Sequence, residues 1–539
     1  MMRRMVLVFG GVSLLIILLR PLLFNAGFPE THDGVNHLAR IANYAVAVKQ
    51  GQFPPRWAPT FWAGYGYPVF NYNYPLANIL ALPFLAIGLS VEWTMKILLS
   101  TAIVSSVIGL YVWFRHHVSS ISAGVGVASY LLAPFVFTNL YVRGAVGEVL
   151  AYAIVPWIFY AMHKWKKRQS KGMFFVLFFG VLFLALAHNI IAMLIIPCVL
   201  ISIYSHVLHT KKYGLYFPIL AGLAASSFFW IPALVEKSLV TLDQVNLSRA
   251  YAEHAPTFSQ VLSSPWQWGF SFPGPVDTLS FSLGIISFCS LVLSIWYCIY
   301  AKRKKEYIAL IVGTVFLLLF MLPISMPLWS AIPFMQYIQF PWRLLGPLTI
   351  VSSMLVAYTY AHVGKISRTL LLLCLLFSLI RVSQRKIDSY IHHDDLYYKT
   401  FAETSTTVDE NRPRTLTYQS GMLSDQQPHI QQGEILERKM WNGSEHVYTV
   451  KLDRDQRITE PTAYFAGWET RVDGKKVPYT YKDTEGLLSF YVSAGTHNIS
   501  TRFTQYTPAR IVGNSITLFA FILVGFIAVQ WKRYEQILR

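Results

Sequence analysis

Five ionisable or amide side chains stand out because they interrupt apolar sequence: Arg143 and Glu148 in YVRGAVGE, His188 in AHN, and Gln339 and Arg343 in IQFPWR. Ionisable groups near membrane depth are expensive, which favours a function for them. Arg143 and Arg343 together suit a phosphate, since a guanidinium offers charge-assisted and often bidentate bonds to such oxygens. Arg143 is equally able to pair with Glu148, five residues on.

A second polar group lies in NAGFPETHDGVNHLARIANY, where Glu30, His32 and Asp33 follow an apolar run. Asp33 can cap a helix running to about Gln50. At 100° per residue that helix sets Asp33, His37, Arg40 and Tyr44 in a stripe roughly 60° wide. Leu38, Ile41, Ala42 and Ala45 face the other way, as in an amphipathic helix at a membrane surface. Beyond it, Pro54, Pro55, Gly64, Gly66 and Pro68 force turns among Trp57, Trp62, Tyr65, Tyr67, Phe70, Tyr72 and Tyr74. Aromatic faces of this kind suit sugars, and they also suit the headgroup belt of a bilayer.

These groups must be carried by membrane helices. Of 539 residues, 54% are hydrophobic and 13% charged, about half the charge of an ordinary soluble domain. Apolar runs of roughly bilayer length recur from Met5 to Ile380 and again from Ile511 to Gln530. The first follows Arg3 and Arg4 but has no small-residue cleavage site before Asn25, so it reads as an uncleaved span. Cys198, Cys289, Cys298 and Cys374 all lie in apolar runs and offer neither a disulfide framework nor a CxxC metal site.

The basic connections Lys164–Lys171, Lys211-Lys212, Lys302–Lys305 and Lys532-Arg533 should be cytoplasmic. Working from them, twelve spans are expected near 5–24, 93–114, 119–138, 149–163, 172–187, 190–207, 214–235, 279–300, 307–322, 342–361, 367–383 and 509–530, with both termini inside. Leu76–Ser90, short and containing Pro83, is expected to lie on the outer side as a juxtamembrane or half-dipping helix. The formal charge of +18 is then an orientation signal. No basic stripe with interleaved aromatics remains for nucleic acid.

Three outer segments are long enough to carry function: 25–90, 236–278 and 384–508. The last is polar and turn-rich, with strand-like stretches at His446–Leu452, Ala463–Val472, Lys476–Tyr481, Leu487–Val492 and His497–Phe503. Asp473-Gly474 is a hairpin signal, because a type I′ turn needs positive φ at both central positions. The expected organisation is a transmembrane domain over 1–383, an extracytoplasmic β-sandwich-like domain over 384–508 that packs as a lid or receives an acceptor, and a last helix with a cytoplasmic tail over 509–539. His392-His393-Asp394-Asp395 reads as a solvated loop rather than a metal site, and Arg20 as a snorkelling residue.

Several motifs resemble one family. HDGVNHLAR (32–40), GQFPPRWAPTFWAGYGYPVFNYNYPL (51–76), YVRGAVGEVLAYAIVPW (141–157), AHN (187–189) and QFPWRLLG (339–346) are similar to membrane proteins called 6-pyruvoyl-tetrahydropterin synthase-related. These stand close to YfhO-like proteins and the GT-C glycosyltransferase superfamily, and AGWETRVDGKKV (466–477) looks like the YfhO-type outer domain. A pterin synthase needs converging histidines in a soluble fold, whereas His116-His117 fall at a cytoplasmic membrane edge, so pterin synthesis is rejected.

The resemblance implies a GT-C-like polytopic α-helical membrane protein of the cytoplasmic membrane with its active face outside. Its expected reaction is sugar transfer from a polyprenyl-phosphate donor to an envelope glycan, lipid or protein, with inversion. Asp33 matches the acidic residue of the first outer loop that serves as base, and Glu30 or His32 would assist it or bind a divalent cation, Mg or Mn. Arg143, Arg343 and Arg40 are candidates to stabilise the departing phosphate, and His37 to orient the sugar or carboxylate; Glu148, His188 and Gln339 complete the substrate-binding set. The commoner pattern of two adjacent carboxylates is absent, since His32 precedes Asp33. From another functional class, a transporter or assembly scaffold for lipid-linked glycans would use the same aromatic loops and arginines, and should show broken helices near the bilayer midplane.

Overall fold

The computed structural model describes residues 2–243, 250–300, 305–406, 409–417, 424–482 and 484–533. Lys302 to Lys304 of one expected cytoplasmic connection lie outside them.

Helix boundaries follow local chemistry. Ser90 accepts from the Trp93 N–H at the start of Val91–Phe114, and Ser170 from the Met173 N–H at the start of Lys171–Ala187. Six described helices are long and apolar enough to cross a membrane: Val91–Phe114, Val146–Lys167, Asn189–Thr210, Pro341–His362, Lys365–Ser383 and Pro508–Val529. Three further pairs qualify as broken spans: Ser120–Leu131 with Pro134–Arg143 (45°), Tyr213–Ala225 with Ser227–Leu239 (62°), and Tyr307–Phe320 with Pro323–Ala331 (87°). In the first and third a proline opens the second half, where it cannot continue the hydrogen-bond ladder of the first. The chain is therefore a multi-pass membrane protein. The expected spans 172–187 and 279–300 fall on helices of 17 and 16 residues, Lys171–Ala187 and Ile285–Tyr300, short of that criterion. Leu76–Ala86 has 11 residues, about 16 Å at 1.5 Å per residue, too short for a hydrocarbon core of about 30 Å.

Residues 433–503 form a sandwich. Strands β1 (Phe28–Pro29) and β2 (Tyr390–Ile391) pair antiparallel and tie the loop after the first helix to the segment that leads into the sandwich. There follow β3 (Gly433–Asn442), β4 (Glu445–Leu452), β5 (Gln456–Ala463), β6 (Trp468–Val472), β7 (Lys475–Val477), β8 (Leu487–Val492) and β9 (Gly495–Phe503). One antiparallel sheet has the order β3-β4-β9-β6-β7 and the other pairs β5 with β8. Tyr448, Val450 and Ile499 from the first meet Ile458, Phe490 and Val492 from the second. Asp473 and Gly474 take φ of +49° and +79° between β6 and β7, the hairpin expected there. The expected strand Ala463–Val472 is instead two, broken at Gly467 with φ +111°. Strand β7 stops at Val477, short of the expected Tyr481, and β3 and most of β5 lack a clear sequence signal.

Two expectations for the first outer loop are corrected. Helix Gly34–Lys49 does not lie in a lipid surface: Leu38, Ile41 and Ala42 join the transmembrane core, while Ala39, Tyr44 and Ala47 join a second core shared with the β-rich domain. The aromatics that follow are that second core rather than free stacking faces. Trp57 is fully buried against Phe465, Trp468 and Phe503, at ring separations of 6.2, 5.8 and 5.6 Å. Gly66, with φ +84°, lets the backbone pass the Trp57 indole, which an added Cβ would meet at 2.3 Å.

Two buried polar clusters hold the halves together. Glu236 accepts from Arg510 at 3.0 and 3.2 Å and from Asn71 at 2.9 Å, and Asn71 accepts from Arg56 at 3.1 Å. His392-His393-Asp394-Asp395 is no free loop. His392 Nδ1 lies 3.0 Å from Glu92 Oε2, the His393 N–H donates to Glu92 Oε1 at 2.9 Å, and Asp395 accepts from the Val91 N–H at 2.9 Å. The segment clamps the start of the β-rich domain to the first turn of Val91–Phe114, where burial of Glu92 demands partners.

Candidate active site around Asp33 and Glu148

The second half of the first broken span ends in a wide π-helical turn, Asn139–Arg143, and Gly144 reverses the chain with φ +63°. Helix Val146–Lys167 starts immediately after it, so Arg143 and Glu148 face each other across the reversal. Arg143 grips Glu148 with two nitrogens, Nη1 to Oε2 at 2.7 Å and Nη2 to Oε1 at 2.8 Å, and Nη1 also donates to Asn139 Oδ1 at 2.5 Å. The Trp342 ring lies 4.6 Å from the same guanidinium. Arg143 is 7% exposed and Glu148 0%, which makes the pairing obligatory rather than incidental.

Arg343 arrives from the turn Pro341–Leu344, with Nε 3.6 Å from Glu148 Oε1. Its Nη1 donates to the Ile338 carbonyl and to Gln339 Oε1, both at 2.8 Å, while Nε is buried with no hydrogen-bond partner among the described residues. Gln339 adopts φ +66° to reach it. His188 completes the group. Its Nδ1 accepts from the Ile191 N–H at 3.3 Å, capping helix Asn189–Thr210, so the neutral ring carries its proton on Nε2, 3.9 Å from Glu148 Oε1.

Asp33 is stitched onto this centre through its backbone. The N–H groups of His32 and Asp33 donate to the carbonyls of Val142 and Arg143 at 2.9 and 3.0 Å. Approach is this close because Gly144 has no side chain, and a Cβ there would lie 2.2 Å from Thr31 Oγ1. Asp33 occupies the N-cap position of Gly34–Lys49, but its carboxylate does not make the expected capping bond. Among the described residues no hydrogen bond or ion pair engages that carboxylate. Burial raises its pKa, against the lowering fields of Arg143, Arg40 and Arg343, and Glu148 adds to the rise. His37 is driven well below its usual value by burial and then by Arg40, His188 and Arg143, so it is neutral. Its ring centroid lies 6.4 Å from that of Tyr74, which in turn stands 4.9 Å from that of His188.

The remaining expected residues are placed differently. Glu30 is exposed and engaged by Ser389 and Trp268: its side chain accepts from the Ser389 hydroxyl, its N–H donates to the Ser389 carbonyl at 3.0 Å, and its carbonyl accepts from Trp268 Nε1 at 3.0 Å. His32 stacks on Phe270 at 4.2 Å and meets Trp268 edge-on at 4.9 Å; burial, then Arg143, lowers its pKa to about 4. Arg40 donates to the Ser405 hydroxyl at 3.1 Å and to the Ser405 carbonyl, bridging to the segment that precedes the sandwich. Among the described residues no three His, Cys, Asp or Glu side chains converge as a metal site. The expected arginine pair is thus one guanidinium bound twice to Glu148 and one whose Nε stands 3.6 Å from Glu148 Oε1 without a hydrogen bond among the described residues.

Sequence reasoning missed Asn139, Trp342, Trp268 and Phe270, while Tyr74 was among the aromatic faces it named. Asn139 was visible in principle, four residues before Arg143 on a helical pattern. Nothing local links Trp268 and Phe270 to His32, more than 230 positions away.

Comparison with known proteins agrees with the membrane reading. Residues 66–388, more than half of the chain, match the family described as the 6-pyruvoyl-tetrahydropterin synthase related domain, a membrane protein. The Asp33 turn precedes the matched stretch. A protein of Lactococcus lactis subsp. cremoris (strain MG1363), described as uncharacterized, is 22% identical over 247 residues, covering 42% of this chain and 40% of that protein's length. The chain belongs to the 6-pyruvoyl-tetrahydropterin synthase-related family of membrane proteins.

Proposed function

We propose that the protein is a GT-C-type membrane glycosyltransferase that moves a sugar from a polyprenyl-phosphate donor to an extracytoplasmic acceptor, with twelve spans and both termini in the cytoplasm. The observation that carries this reading is the Asp33 carboxylate, unpaired among the described residues, made more basic by burial, and fixed through its backbone to the Arg143–Glu148 centre.

In the proposed step Asp33 accepts the proton of an acceptor hydroxyl as that oxygen bonds to the anomeric carbon. The bond from that carbon to the phosphate oxygen breaks on the opposite face, giving inversion and free polyprenyl phosphate. Arg343, whose Nε makes no hydrogen bond among the described residues, and the neighbouring Arg40 supply positive charge for the departing phosphate. Arg143 and Glu148 hold the turn that positions Asp33, and neutral His37 is suited to hydrogen bonding a sugar hydroxyl. The Trp268–Phe270 segment covers His32 and must shift to admit an acceptor.

A transporter of lipid-linked glycans is the second reading, favoured by the three broken helices. Incubation of the purified protein with radiolabelled polyprenyl-phosphate sugars and cell-envelope acceptors separates the two. Label transfer with polyprenyl phosphate release supports the transferase; binding and vesicle movement without turnover supports transport.

A further inference from the structure

Helices Val146–Lys167 and Pro341–His362 carry Glu148 and Arg343 near one end. Their other ends, about 22 Å along from Glu148 at His163 and about 28 Å from Arg343 at His362, meet the turn after Val91–Phe114 and the start of Lys365–Ser383. Between them lies an open cleft of about 550 Å³ lined by Arg115, His116, His117, Ser119, His362 and Arg368 among others, with no Asp or Glu among the described residues of its lining. Lys164 and Lys167 lie in the last turn of Val146–Lys167.

Basic residues at helix ends serve orientation, and for that purpose solvated side chains suffice. Arg115 is exposed, with Nη1 3.5 Å from the Val118 carbonyl, whereas Arg368 is held by protein contacts. Arg368 is half-buried, with Nη2 donating to the Ala361 carbonyl at 3.0 Å, its guanidinium 5.6 Å from the Tyr360 ring centre, and its buried Nε without a partner among the described residues. The His117 and His163 rings stand 5.0 Å apart. Ser119 caps helix Ser120–Leu131, whose N-terminal turn borders the cleft and adds the positive end of a helix dipole. The guanidinium groups of Arg115 and Arg368 share one concave wall with no carboxylate among the described residues of its lining, a field that favours an anion.

We propose that this cleft is a second binding site, specific for a phosphate group carried by an anionic lipid at the membrane surface or by a soluble phosphorylated compound. Arg115 and Arg368 contact the phosphate oxygens and the histidines donate from the cleft wall. The site is separate from the Asp33 centre, so it stands whether or not glycosyl transfer is found.

Native mass spectrometry of the detergent-solubilised full chain with phosphatidylglycerol, phosphatidylcholine or inorganic phosphate tests it. The expected result is retention of phosphatidylglycerol about tenfold or more tightly than phosphatidylcholine, lost in R115A/R368A and kept in the control K211A/K212A. Displacement of the lipid by millimolar inorganic phosphate identifies the free group as sufficient; retention against it identifies the lipid as the ligand. R368K, which keeps the charge, holds the binding partly and guards against misfolding of the double variant. Equal retention of the two lipids by the unaltered protein without phosphate binding, or undiminished anion binding by a folded R115A/R368A, overturns the proposal.

Discussion

Glu148 is held by Arg143 through two bonds of 2.7 and 2.8 Å, and both residues are shut away from solvent where helix Val146–Lys167 begins. A buried pair of this kind is unforgiving when one member is lost. Glu148→Gln strands Arg143 and leaves Arg343 without its carboxylate, and should cost about 3–5 kcal/mol. Thermal unfolding in detergent of Glu148→Gln, Arg143→Gln and the double variant checks this. The double variant should lose clearly less than the sum of the two singles, and strict additivity would remove the pair from the account.

Asp33 ties stability to pH in a definite direction. Because burial raises its pKa above the ordinary 3.8, the charged form is disfavoured in the folded protein. Its destabilising effect is absent below that ordinary value and grows as pH rises through the raised one. Asp33→Asn should therefore unfold at an equal or higher temperature than the parent at neutral pH, with the difference vanishing at acid pH. A variant markedly less stable at neutral pH would mean that the carboxylate has a structural partner.

Gly144 is predicted to tolerate no side chain. Gly144→Ala places a methyl 2.2 Å from Thr31 Oγ1 at a φ of +63°, a strained backbone that costs about 1–3 kcal/mol before the clash is counted. The measurable outcome is a lowered melting temperature together with a larger proportional loss of activity than the melting shift explains, since the turn carrying Asp33 is displaced. Thr31→Ala in the same chain should restore part of both.

Trp57 is the wedge between the first outer loop and the sandwich. Trp57→Ala should destabilise by about 3–5 kcal/mol and expose the 384–508 region to limited proteolysis while the transmembrane helices stay protected. Uniform resistance to protease would show that the two halves do not depend on this contact.

The membrane class and most strands of the sandwich were legible because their signals are periodic and local, β3 and most of β5 excepted. Apolar runs announce helices, and Asp473-Gly474 announces its hairpin through positive φ alone. Helix breaks were harder to read, since Pro134 and Pro323 bend the chain by amounts set by neighbouring helices. Among site residues, Arg143 and Glu148 could be paired from their spacing of five, and Arg343 joined them only through the fold. The helix Gly34–Lys49 misled because one apolar face looks the same whether lipid or a protein domain covers it. The aromatics from Trp57 to Phe70 misled for the same reason: their partners Phe465, Trp468 and Phe503 lie some 400 residues downstream.

Asp33 carries the functional claim, and the most direct test compares the parent protein with Asp33→Asn in one transfer assay. Purified protein in lipid vesicles is mixed with radiolabelled polyprenyl-phosphate sugar and envelope acceptors, and both labelled product and released polyprenyl phosphate are followed. The account predicts transfer by the parent and a loss of at least about a hundredfold in Asp33→Asn, with donor binding and melting temperature retained. Undiminished transfer by Asp33→Asn, or donor binding without turnover by the parent, would contradict it.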